Sequence, residues 1–229
     1  MIAAGGSGER LGAGCPKALV LCNGRELLCW SIEAAAAARS VVAIVVAAHG
    51  DDLARFEALV FECDLNDKPV LVVPGGPSRS HSVCAGLVAA AEFEADFDAV
   101  VVHDAARPLA TGALFDACIA QLGAADCVVA AAPVTDTIKI ANAQRLVLDT
   151  PDRSSMWAVQ TPQAFSRECL EQALAVSDEQ LAGASDDASL VEANGARVEL
   201  LCNQQPNPKV TTASDLQFAQ LLLAGTQRP

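Results

Sequence analysis

The chain has 229 residues, of which 52% are hydrophobic and 19% charged, and it carries a net charge of −13. That length and composition suit one sizeable α/β domain with an appendage and exclude a disordered chain. A chain this acidic has no basic face for DNA or RNA, although a few converging cations can still hold a small anion.

The first strand can span only residues 1–4, short for a core strand. It runs into Gly5-Gly6-Ser7-Gly8, with Arg10 and Gly12 beyond and Pro16-Lys17 shortly after. Glycines admit φ > 0 and let N–H groups approach a ligand, so such a turn can wrap a phosphate. Arg10 and Lys17 would set two cations beside it. Gly6, Gly8 and Gly12 give G-x-G-x-x-x-G, not the dinucleotide fingerprint, and Lys17 between Pro16 and Ala18 does not fit Gly-Lys-Ser/Thr. Alone, a glycine-rich turn is more often only a turn.

Residues 41–47, 70–73, 99–102 and 127–132 are apolar runs of strand length without clean alternation, as expected of strands buried on both faces. Residues 26–38, 52–61, 80–92 and 112–122 read as helices between them. This alternation predicts right-handed βαβ units, hence an α/β fold with a mostly parallel, Rossmann-like sheet flanked by helices. Ligands in such sheets bind beyond the carboxyl ends of the strands. The loops at 5–8, 75–76 and 104–108 each follow a strand and should meet at one edge.

From Asp136 the rhythm changes. Residues 137–140 and 145–148 flank a four-residue turn and read as a β-hairpin. It has too little apolar surface to bury itself on the main sheet, so a β-arm at about residues 136–158 is expected to project, onto a second subunit. A strand at 156–160, helices near 166–176 and 187–193, a strand at 197–201 and a helix from Ala213 follow. The whole is read as one domain, residues 1–229, with an arm.

Nine scattered cysteines form no C-x-x-C pair, and three histidines are too few for zinc-finger spacing. Reduced thiols, no basic leader and no apolar run of membrane-spanning length make a soluble cytoplasmic protein the expectation, with no membrane partner.

Chemistry concentrates in the loops. In His103-Asp104-Ala105-Ala106-Arg107-Pro108, Asp104 could accept from a substrate hydroxyl or ligate a metal, and Arg107 could meet a phosphate. A structural Asp–Arg pair is an equally good reading. In Gly75-Gly76-Pro77-Ser78-Arg79-Ser80-His81-Ser82, the backbone could approach a flat base and Arg79 or Ser82 a sugar or phosphate. The plainer reading is a helix capped by Ser78. Asp136-Thr137-Ile138-Lys139, Thr161-Pro162-Gln163 and Asn207-Pro208-Lys209-Val210-Thr211-Thr212 each add hydroxyls or a cation, and singly each is more often a turn than a site.

Together, and in this order over nearly the whole chain, these segments and Asp186-Asp187-Ala188-Ser189 make the chain resemble the 2-C-methyl-D-erythritol 4-phosphate cytidylyltransferases, within the nucleotide-diphospho-sugar transferase fold. The resemblance implies transfer of a cytidylyl group from CTP to the sugar phosphate, with pyrophosphate released. It implies Arg10 and Lys17 as catalytic cations and Mg²⁺ carried mainly on the CTP phosphates, with no protein metal ligands. CTP would lie against Ala4, Gly5, Gly6, Gly8, Gly76, Ser82, Asp104 and Ala105. Asp104, Arg107, Thr137, Arg153, Thr161, Ser185 and Lys209 match positions that bind the methylerythritol phosphate. Arg153 matches an arginine that the family inserts into the neighbouring subunit's site, which implies a homodimer with exchanged arms.

The chain also departs from the pattern. Gly5 stands where alanine is usual and Ala3 where proline is frequent. Pro77 removes an acidic side chain, Ser185 replaces a threonine, and Pro208 replaces an aliphatic residue beside Lys209. Two rival readings remain at this level. One is a ribitol-5-phosphate cytidylyltransferase, told apart by which acceptor is turned over. The other is a non-catalytic nucleotide-binding regulatory module, against which stand the retained Arg10, Lys17, Asp104, Arg107 and Lys209.

Overall fold

The computed structural model describes residues 1–93 and 96–225. In chain order the elements are β1 (Ile2–Ala4), β2 (Leu21–Cys22), β3 (Arg25–Glu26), α1 (Leu27–Ala37), β4 (Ile44–Ala48), α2 (Leu53–Val60), β5 (Val70–Pro74), α3 (Arg79–Ala90), β6 (Ala99–Asp104), α4 (Gly112–Ala120) and β7 (Cys127–Pro133). The rest are β8 (Ile140–Ala141), β9 (Val147–Asp149), β10 (Trp157–Ser166), α5 (Arg167–Leu174), α6 (Asp178–Gly183), α7 (Asp187–Ala193), β11 (Val198–Cys202) and α8 (Ala213–Gly225).

Seven strands form one sheet in the order β11-β7-β10-β6-β1-β4-β5. Every pair is parallel except those made by β10, which is antiparallel to both β6 and β7. The expected mostly parallel α/β sheet is therefore present. Its apolar runs divide by the two-residue period of a strand. Ile44, Val46, Val101 and Val128 face one core with Ile32, Phe56 and Phe115, whereas Val100, Val102 and Val129 face a second core with Leu170 and Val191. Burial on both faces is why these runs show no polar alternation.

Although only three residues long, β1 is an interior strand of the sheet, next to the central β6, and pairs parallel with β4 and β6. The chain winds from β1 through β4 to β5 on one side, then crosses to β6 on the other. A crevice opens at such a reversal, beyond the carboxyl ends of the strands.

Several expected boundaries move. The strand expected at 156–160 continues through Pro162 to Ser166, with its register against β7 shifting between Val159 and Gln163. Proline cannot donate to a ladder, so a strand carrying one reads from sequence as if it ended there. The hairpin is shorter than expected: 137–139 is loop, and the tight turn is held by Asn142 Oδ1, which accepts from the Gln144 and Leu146 amides. The helix expected near 166–176 is α5, and a further short helix that was not expected, α6, follows it, opened by a capping box between Ser177 and Gln180. Among the described residues no helix is long and apolar enough to cross a membrane.

Candidate active site

The loop after β1 folds back on itself. The Lys17 amide donates to the Gly6 carbonyl at 2.9 Å. Gly8 has φ +77°, and a Cβ there would come within 2.8 Å of the Cys15 carbonyl oxygen, so this position needs glycine. The turn after β5 is fastened similarly: Gly75 N–H donates to Ala48 O at 2.7 Å, and Gly76 N–H to Ser82 Oγ at 3.1 Å. The Ser82 hydroxyl donates in turn to Ser78 O at 2.9 Å, and Ser78 caps α3. Across the crevice, Ala105 N–H bonds Ala3 O at 3.1 Å, locking the end of β6 to β1.

These three turns enclose a cavity of about 240 Å³, lined by Ala4, Gly5, Gly6, Lys17, Gly76, Ser82, Asp104 and Ala105 together with Arg79 and Lys209. Every residue expected to hold CTP is there except Gly8, whose place is in the bend that brings Lys17 round. A second cavity, of about 390 Å³, is lined by Asp104, Arg107, Thr161, Ser185 and Lys209 among others. Arg79, Asp104 and Lys209 belong to both and form the wall between them.

That wall is a buried charge cluster. Asp104 Oδ1 accepts from Arg79 Nε at 3.1 Å, and its Oδ2 lies 2.9 Å from Lys209 Nζ and 3.6 Å from Arg107 Nε. Burial opposes the charge of Asp104, but Arg79, Lys209 and Arg107 outweigh it and hold the carboxyl well below the usual range. Arg79 also donates to Asp187, whose carboxyl burial pushes upward despite Arg79. Arg107 Nη1 donates to Asn207 O at 2.7 Å, so this arginine ties down a second loop besides standing beside Asp104 at the cavity. Lys209 reaches Asp104 even with Pro208 beside it. Burial lowers the Lys17 pKa, helped by Lys209 and countered by Asp104.

Arg10 is exposed and lines neither cavity, although its charge is felt at Lys17. Thr137 and Arg153 are exposed on the arm, where Arg153 Nη1 donates to Thr135 O at 2.7 Å. One chain does not bring these two to the crevice. Asp187 and Gln163 were not among the expected site residues. Gln163 is buried, donates to Asp186 Oδ2 at 2.8 Å and lines the second cavity. The Thr-Pro-Gln and Asp-Asp-Ala-Ser segments were the signal for both.

The carboxylates do not suit a dedicated metal site. Among the described residues no three His, Cys, Asp or Glu side chains are grouped to hold an ion, and Asp104 is already shared by three cations. What the two cavities offer is neutralisation of phosphate charge on either side of one wall.

Comparison with known proteins agrees with this geometry. The family model for 2-C-methyl-D-erythritol 4-phosphate cytidylyltransferase (IspD) matches residues 1–225. The enzyme of that name from Synechococcus elongatus is 41% identical over 227 residues, covering 99% of this chain and 96% of the relative. That from Parasynechococcus marenigrum is 41% identical over 228 residues, covering 100% and 98%. The crystal structure of 4-diphosphocytidyl-2C-methyl-D-erythritol synthase from Anaerococcus prevotii superposes with a TM-score of 0.81 at 26% identity, covering 97% of this chain and 94% of that one. The chain belongs to the 2-C-methyl-D-erythritol 4-phosphate cytidylyltransferase family.

Proposed function

We propose that this chain transfers the cytidylyl group of CTP to 2-C-methyl-D-erythritol 4-phosphate and releases pyrophosphate, a step of non-mevalonate isoprenoid synthesis. The observation that carries the reading is the pair of cavities divided by Arg79, Asp104 and Lys209, one walled by glycine turns and Lys17, the other by Arg107, Thr161 and Ser185. The nucleotide occupies the first and the acceptor phosphate the second. An oxygen of the acceptor phosphate attacks the α-phosphorus of CTP in line. The new P–O bond forms as the bond to the β-phosphate bridging oxygen breaks, and that oxygen leaves with pyrophosphate.

A phosphate monoester has a second pKa of about 6, so the nucleophile is already ionised near neutrality and no strong base is needed. The residues instead position charge. Lys17, partly withdrawn from water, faces the phosphates of the nucleotide in a medium where a cation acts more strongly than in bulk solvent. Arg10 adds a second cation once the triphosphate draws its side chain inward. Asp104, held ionised by its neighbours, accepts from acceptor hydroxyls, while Lys209 and Arg107 meet the acceptor phosphate. Mg²⁺ bound with the triphosphate would supply further charge neutralisation there. We assign it no ligands from this chain.

The exposed arm extends the proposal. With Thr137 and Arg153 outside both cavities, a homodimer that exchanges arms would deliver them to the second cavity of the partner. Free thiols and a CTP substrate fit a cytoplasmic setting.

Pyrophosphate release from CTP tests the reading. It is expected with Mg²⁺ and methylerythritol phosphate together and not when either is left out. Faster turnover of ribitol 5-phosphate in the parallel assay would reassign the acceptor. No release with any polyol phosphate, alongside intact CTP binding, would favour a regulatory module.

A further inference from the structure

His103 is the penultimate residue of β6, and its imidazole is completely buried against Phe115, with ring centroids 5.0 Å apart. It lies behind the site and lines neither cavity. Its Nδ1 is 3.0 Å from Thr161 Oγ1, and the same hydroxyl oxygen accepts from the Asp104 amide at 3.0 Å. Thr161 is only 3% exposed, and its own carbonyl accepts from Asn207 Nδ2 at 2.8 Å.

With a neutral ring two proton arrangements satisfy this chain of bonds, because Thr161 Oγ1 can accept from both the Asp104 amide and an Nδ1–H, or accept from the amide and donate to a bare Nδ1. The Asp104 amide can only donate, so Thr161 Oγ1 accepts there. Burial pushes the His103 pKa down to about 3, so the ring carries one proton. Nδ1 is engaged with Thr161, Nε2 is buried without a hydrogen-bond partner, and the Arg107 backbone favours a proton on the ring, which is the reason for placing the single ring proton on Nε2 in the second arrangement. Nδ1 then offers a lone pair, and the Thr161 hydroxyl donates into it.

We propose that His103 is a positioning residue: its Nδ1 accepts a hydrogen bond from the Thr161 hydroxyl, aims that hydroxyl oxygen at the Asp104 amide, and so sets the carboxylate that Arg79 and Lys209 share. Thr161 then acts inward on Asp104 and has no proton to give an acceptor sugar. This rests on the cytidylyltransferase reading for its kinetic consequences, but not for the tautomer itself.

Two measurements test it. In the wild-type protein with ¹⁵N-labelled histidine, long-range ¹H–¹⁵N spectra at neutral pH are expected to report His103 with a bare Nδ1 and a protonated Nε2. A proton on Nδ1 would overturn the proposal, whatever the protein catalyses. The second is kinetic, with whichever polyol phosphate the wild type turns over as acceptor. His103→Leu and Thr161→Val are each expected to lower kcat/KM for the acceptor about tenfold or more while CTP binding in the absence of acceptor falls less than about threefold, because a displaced Asp104 harms alignment more than it removes nucleotide contacts. The double variant should be no worse than either single one, since both break the same chain. His103→Asn keeps an acceptor atom near the Nδ1 position and is expected to stay within about threefold of wild type. Loss in Thr161→Val without loss in His103→Leu would overturn the proposal and make Thr161 a direct substrate contact. An Asn variant as impaired as the Leu variant would overturn it too, leaving ring volume as the cause. Should the Leu variant not fold, the Asn variant and the spectra still decide.

Discussion

The end of β6 and the projecting arm, to which the family pattern would assign the two parts of the acceptor site, are built in opposite ways. At β6, Asp104 is buried, held from three sides by Arg79, Arg107 and Lys209, and backed by the Thr161–His103 pair. On the arm, Leu146 and Leu148 are each 65% exposed, Arg153 bonds only a nearby carbonyl, and Lys139 is tied to Thr150 in solvent. The first region is pre-organised by one chain. The second displays apolar and cationic groups that one chain leaves uncovered, as a surface awaiting a partner does. Reaction geometry should therefore depend on single residues around β6 and Lys17, whereas the arm's contribution should depend on assembly.

The largest effect is expected where charge develops. Lys17→Ala should lower kcat about two to three orders of magnitude, as loss of one transition-state donor does, with folding unchanged by circular dichroism. An unchanged kcat would remove Lys17 from the chemistry and shift the load to Arg10 or Mg²⁺. Next comes Arg153→Ala, which deletes a charge-assisted contact worth roughly 2–3 kcal/mol. It should raise KM for the acceptor about thirty- to a hundredfold and leave KM for CTP nearly alone. Mixing it with an inactive Lys17→Ala chain offers a sharper form. If arms are exchanged, heterodimers recover an active site that has both Lys17 and a partner's Arg153. No recovery, with exchange of chains verified by mass spectrometry, would place Arg153 in its own chain's site.

The sheet and its site edge were legible because buried strands and glycine turns are local signals. The apolar runs expected at 41–47 and 127–132 hold the buried strands β4 and β7, although β4 starts only at Ile44 and Val42 before it is exposed, and the three loops each follow a strand. The strand β10 was half hidden by Pro162, and α6 by its length of six residues, although its capping box was in plain view. The charge cluster was not legible from local pattern. Arg79 and Asp187 are 108 residues apart, and Lys209 sits in the loop after β11 while Asp104 ends β6. Only the order of the motifs placed Lys209 with Asp104. The inward role of Thr161 lay beyond reach, because it depends on which atoms a hydroxyl meets after folding.

The buried side of the comparison also predicts a pH dependence. The folded state holds the His103 pKa near 3 against an ordinary 6.5, mainly by burial, with Arg107 adding to the shift and Asp104 opposing it. As pH falls below about 6.5 the unfolded chain takes up the proton and the folded one does not, so stability declines until about pH 3. Between pH 7 and pH 5 this group alone should cost about 2 kcal/mol. His103→Asn should lose about that much less than wild type over the same range in urea titrations. Equal slopes would mean that the imidazole is protonated in the folded protein and that Nδ1 cannot be accepting from Thr161.

The smallest effect belongs to the arm's own bonds. Lys139 Nζ and Thr150 Oγ1 are 2.8 Å apart but exposed on both sides, and water competes for each. Thr150→Ala should change unfolding stability by less than about 0.5 kcal/mol, against roughly 1–3 kcal/mol for Thr161→Val, which strips a buried amide of its acceptor. Urea midpoints at several protein concentrations separate the two causes. A concentration-dependent midpoint is the mark of an arm held by a second chain, and Thr150→Ala should leave that dependence in place. A loss above about 1.5 kcal/mol in Thr150→Ala, independent of concentration, would instead make the arm a self-supporting unit and remove the contrast with β6.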